Sequence, residues 1–141
     1  MFHRILIVLL SLLMFSCMSD DNTSLGTTNF HIELLPLTSY EVPDLLTMNE
    51  ENTIVLSYKL PNYCYGFYEI HEEVDTSDGA TIIAIAAVYN DNLLDCYPND
   101  EVEEVEMIMM PNSSDDYVLK FWLGHDNQGA NIYETVQIAV N

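Results

Sequence analysis

The sequence predicts an all-β domain of about seven antiparallel strands packed as a sandwich. Three observations carry this prediction. Apolar residues recur with period two from Asn29 onward, the spacing of strands with one buried face. Turn-forming residues punctuate the chain at short intervals. No amphipathic segment has the length of the helical crossover that parallel βαβ units require.

The elements follow in order. Phe30, Ile32 and Leu34 alternate with His31 and Glu33, until Pro36 breaks the run. Pro43 and Asp44 leave residues 41–46 as at most a short edge piece. Ile54, Leu56, Tyr58 and Leu60 alternate with Val55, Ser57 and Lys59. Pro61 and Asn62 turn the chain into a strand over residues 63–72, and Asp75, Asp78 and Gly79 mark a hairpin turn. Residues 80–89 are almost continuously apolar, as in a strand buried on both faces. A polar loop with Cys96 leads to a strand over 102–110, and Pro111, Asn112 and Ser113 turn the chain again. Tyr117, Leu119, Phe121 and Leu123 then alternate with Val118, Lys120 and Trp122, and a glycine-bounded turn joins them to a last strand over 131–140.

Tyr117 opens the penultimate strand just after an acidic turn and resembles the tyrosine corner of immunoglobulin-like domains. That resemblance implies a sandwich whose third and penultimate strands are neighbours in one sheet. The cysteines depart from the family pattern, because Cys96 falls in a loop. A small closed barrel accommodates the same strands as the alternative.

Composition narrows the function. Three Lys plus Arg against 23 Asp plus Glu give a net charge of −20. Nucleic acid is excluded as a ligand, because phosphate binding needs a basic footprint. At 49% apolar and 11% aromatic, the chain is not a disordered acidic tail. Its 141 residues suffice for one ordinary domain.

The N-terminus points to export. Arg4 precedes an apolar run over residues 5–10, then Ser11, then residues 12–15. This stretch has the layout of a secretory signal and is too short for a membrane-spanning helix. Leu13-Met14-Phe15-Ser16-Cys17 resembles the lipobox of bacterial lipoproteins, and Ser19-Asp20-Asp21 is similar to a surface-export signal of Bacteroidota. The resemblance implies cleavage before Cys17, acylation of that cysteine (palmitate), and an outer-membrane lipoprotein at the cell surface or facing the periplasm. The expected organisation is a signal helix over 1–16, a lipidated Cys with a flexible acidic linker over 17–28, and the β-domain over 29–141. With Cys17 acylated, Cys64 and Cys96 remain as an even pair, for which a disulfide is expected in an oxidising compartment.

Chemistry is sparse. There is no GxSxG, no HExxH and no glycine-rich phosphate loop. Neighbouring carboxylates such as Glu72-Glu73, Glu103-Glu104 and Asp115-Asp116 point to opposite faces of a strand, so none works as an acid/base pair. His31, His71 and His125 lack zinc-site spacing towards any Cys. Asp75, Asp78, Asp91, Asp95 and Asp126 lie in turns, but no calcium-loop pattern occurs. No catalytic residue, metal or cofactor is assigned. If Cys64 faces the core, Tyr63, Tyr65 and Phe67 point away from it, as Trp122 does from the apolar face of its own strand. Those four residues form the expected binding face for a glycan or protein partner. A bulge at Gly66 would instead return Phe67 to the core. The expected protein is a lipid-anchored, non-catalytic envelope module. The alternative is an anionic inhibitor lipoprotein that captures a basic enzyme.

Overall fold

The computed structural model describes residues 30–141. The expected signal helix over 1–16, the expected lipidation site Cys17 and the expected linker to residue 28 lie outside the described residues. No helix among the described residues is long and apolar enough to cross a membrane.

The fold is all-β, in two packed sheets. Nine strands form it: β1 (Phe30–Leu35), β2 (Leu37–Glu41), β3 (Leu45–Leu46), β4 (Asn52–Tyr58), β5 (Tyr65–Val74), β6 (Thr81–Asn90), β7 (Glu103–Met109), β8 (Tyr117–His125) and β9 (Asn131–Val140). Seven of these match the sequence expectation, and β2 and β3 are short additions. The small sheet has the order β2-β4-β7 and is antiparallel. The large sheet is built around β6.

Strand β6 pairs with β5 along one edge, and its other edge is shared. Residues 81–83 pair in parallel with β8, and residues 85–90 pair antiparallel with β1. Beyond β8 come β9, antiparallel, and β3, parallel to β9. These two short parallel ladders depart from the all-antiparallel expectation. Strand β6 lies between β5 and β8, so the third-to-penultimate strand adjacency expected from immunoglobulin-like order is absent. A strand of ten residues is long enough to offer one edge to two shorter neighbours.

Pro36 divides the first strand between the sheets. It has no N–H to donate, so the ladder stops there. Leu35 pairs with Ile85 in the large sheet, whereas Leu37 pairs with Tyr58 in the small one. Both leucines are buried. The core between the sheets contains Ile54, Leu56 and Met107 from one side and Ile83, Ile85, Leu119, Phe121 and Ile138 from the other. Tyr40 stacks on Phe121 at 3.9 Å.

Polar caps join the layers. The Asn52 amide donates to the Thr47, Glu50 and Met109 carbonyls and accepts from the Thr47 N–H, which ties the β3–β4 turn to β7. The expected disulfide is present: Cys64 is bonded to Cys96 and fastens the β6–β7 loop to the start of β5.

Candidate functional site

The outer face of the large sheet, turned away from the small sheet, carries the candidate site. Register places its side chains in rows. Glu73, Ile82, Lys120 and Thr135 form one row across β5, β6, β8 and β9. In the next, His71 pairs with Ala84 and Trp122 pairs with Tyr133. Above them, Glu69, Ala86 and Leu34 share a row across β5, β6 and β1.

Trp122 lies where β8 and β1 part from the shared edge of β6, one residue beyond the last β6–β8 pair. Small residues on β6, Ala84 and Ala86, leave a trough between the larger side chains on either side. The result is a groove of about 370 Å³. Trp122, Leu34, Ile82 and Ala84 supply apolar lining, while His71, Glu73, His125, Asn131 and Tyr133 supply polar groups. An apolar floor with a few convergent polar groups is the usual form of a small-ligand site.

Two devices hold the groove's shape. The Trp122 indole Nε1 donates to the Asn131 Oδ1 at 3.1 Å, and its ring meets the His125 ring edge-on at 5.3 Å. A register shift between Trp122 and His125 brings His125 opposite Asn131. Gly124 makes the shift possible, with φ at +102° and Pro36 3.5 Å from where a Cβ would sit. Beside the groove, the Lys120 Nζ lies 2.6 Å from carboxylate oxygens of both Asp75 and Asp78. The Lys120 ammonium holds the Asp75 carboxyl well below the usual carboxylate range, assisted by the Ser77 hydroxyl and N–H. Asp78 is lowered chiefly by the same ammonium, and Lys120 is raised in turn.

The four aromatic residues expected to form one binding face are not brought together. Trp122 does lie on the outer face, but it is only 9% exposed, against the expectation of an open indole. The expectation rested on Lys120 needing water on the same face. Two carboxylates satisfy the ammonium instead, so the face can close around Trp122. Tyr65 and Phe67 turn towards the small sheet: Phe67 pairs with Ala87 of the core and lies 6.0 Å from Tyr58. The cause is a bulge between Phe67 and Glu69, which reverses the alternation of β5 one residue later than Gly66. The Tyr65 hydroxyl donates to Glu33 at 2.6 Å. Tyr63 is exposed in the turn before β5, away from the groove.

Three phenols are pushed up to about 12. For Tyr40 and Tyr58 the main cause is burial, followed by hydrogen bonds to Glu134 and Glu103. For Tyr65 the hydrogen bond to Glu33 comes first. Among the aspartates of the turns, Asp126 accepts from the N–H groups of Gln128 and Ala130, which lowers it. Among the described residues, no cluster of three or more His, Cys, Asp or Glu is arranged to hold a metal ion.

His71, Asn131, Tyr133, Leu34 and Ala84 enter the site without a signal in the sequence. Only the bulge and the shared β6 edge bring them together. No protein-family model, curated protein or solved structure compared with this chain matches it.

Proposed function

We propose that this chain is a lipid-anchored module of a bacterial outer membrane. In this reading it binds a glycan or protein group in the groove around Trp122 and carries out no chemistry. The groove is the observation that carries the reading. Its half-exposed phenol, beside an apolar lining to which the nearly buried indole contributes, suits the apolar face of a sugar ring or an aromatic side chain, and its imidazoles and amide suit hydroxyl or carbonyl groups. The lipobox-like residues before Cys17 support the anchor. A bacterial lipoprotein's multiple acyl chains hold a protein far more firmly than one chain does.

The chain has one Trp, so its emission reports on the groove alone. Titrating the full chain with neutral oligosaccharides is expected to shift or quench that emission saturably. His71→Ala should weaken the response by about tenfold or more, the loss of roughly 1.4 kcal/mol. Emission unmoved across the oligosaccharides and across aromatic peptides would remove the groove as a binding site. The anchor has its own test: Cys17→Ala should release the protein from membranes or leave it unprocessed, read by fractionation and mass spectrometry.

A second reading is favoured by the small sheet's outer face. Glu41 and Glu106 flank Val55 in one cross-strand row, and Glu104 lies opposite Ser57 in the next. Lys59 and Lys120 are the cationic Lys and Arg residues among those described, and Lys120 is already paired. Such a face steers a basic enzyme towards it. A saturable, salt-sensitive complex with a basic lysozyme would support this inhibitor reading.

A further inference from the structure

We infer that the disulfide-bearing end of the sandwich docks onto the lipid surface to which the chain is tethered, with Leu94 at its tip. The inference rests on the anchored reading of Cys17 and adds an orientation and a contact to it.

Several of the apolar residues that the fold leaves uncovered, including the most exposed one, lie at this end. Leu94 is 97% exposed in the β6–β7 loop, with Leu93 beside it at 47%. Tyr63 and Tyr97 are 60% and 65% exposed, and the Tyr63 N–H donates to the Tyr97 carbonyl. The Cys64–Cys96 bond lies next to both and holds the loop against β5. Phe30, 60% exposed, pairs with Asn90 at the end of β6, where the loop begins. A loop tip with this much uncovered apolar surface, rimmed by polar groups, marks an interaction site. Leucine at the tip with tyrosines behind it is the depth order of a membrane interface, where tyrosine sits at headgroup level.

The position of the tether identifies the occupant. Twelve residues, 18–29, separate Cys17 from Phe30. Even fully extended, twelve residues reach only about 45 Å. Strand β6 has ten residues, so the domain is about 33 Å long in this direction. Because β1 starts at the Leu94 end, the attachment enters on the side of the tip, and the β5–β6 turn is the end furthest from it. A tether of this length gives the tip an effective concentration at the surface of about millimolar, so a weak contact is sufficient. Asp91, Asp95 and Asp100 are exposed in the same loop, which favours zwitterionic over anionic lipid at the contact.

The test uses the full-length protein recovered from cell membranes and reconstituted into phosphatidylcholine vesicles that contain brominated acyl chains. Leu94→Trp adds an indole at the tip without disturbing packing, and Thr76→Trp adds one at the opposite end. With the emission of the parent protein subtracted, the indole added at position 94 is expected to lose most of its emission. The one at position 76 should lose almost none, and phosphatidylglycerol should reduce the effect at position 94. A membrane-bound protein with no quenching at position 94, or equal quenching at both, overturns the docking while leaving the anchor intact. Recovery in the soluble fraction with unmodified Cys17 overturns both readings.

Discussion

Gly124 shows how much of the groove depends on one backbone angle. Its φ of +102° is open to glycine and strained for any other residue, although a Cβ would meet Pro36 only at ordinary contact distance. Gly124→Ala is expected to cost about 1–3 kcal/mol in denaturant unfolding. It should also weaken the Trp122–Asn131 hydrogen bond, seen as a red shift in Trp emission. Lys120 makes a different argument at the same scale. Its ammonium lowers Asp75 and Asp78, so their contribution to stability is full above the ordinary carboxylate range and lost as pH falls through their depressed values. The destabilisation caused by Lys120→Met should therefore be constant from about pH 5 to 9 and fade towards about pH 2. A constant difference down to pH 2 in thermal melts would show that the ion pairs contribute nothing.

Among the elements, the β6–β7 loop and strand β5 carry the clearest expectations. The disulfide spans a sequence separation of 32 residues. Reduction should lower stability by about 3–4 kcal/mol from loop-closure entropy, checked by urea unfolding with and without reductant. Equal midpoints would show that the loop is held by its other contacts. Strand β5 pairs only with β6, so its far edge is open. Glu69, Glu72 and Glu73 are exposed along it, and charge on an open edge discourages pairing with another chain. Replacing Glu69 and Glu72 with Val should produce concentration-dependent association in light scattering.

At the scale of the molecule, the question is how a chain of charge −20 stays compact. Tyrosine hydroxyls take the part that lysines play elsewhere. Tyr58 donates to Glu103 at 3.0 Å and Tyr65 donates to Glu33 at 2.6 Å. Asp75, Asp78 and Asp126 accept backbone N–H groups in turns. Because the three phenols are raised to about 12, the folded state favours their protonated form. Their contribution is complete below the ordinary phenol value of about 10 and is lost as pH rises towards 12. Alkaline titration of phenolate absorbance should show a late phase near pH 12 that merges with unfolding. Added salt should raise stability near neutrality by screening the excess charge.

The sequence by itself determined the strands and the layer they bury. Leu119, Phe121 and Ile54 are legible because alternation is a local property, and the apolar run over 80–89 marks β6 as central because no solvated face could tolerate it. The Cys64–Cys96 bond was legible once Cys17 was set aside as the expected anchor, leaving an even pair. Tertiary structure alone decided the site. The bulge after Phe67 depends on how β5 matches β6, a relation between two strands that neither sequence contains. The sharing of β6 between β1 and β8 is of the same kind, and it creates the gap that Trp122 fills. The indole's burial follows from Ala84, thirty-eight positions away, and from carboxylates in a turn that satisfy Lys120. Facing is written along one strand, but exposure is set by what the neighbouring strands place beside it.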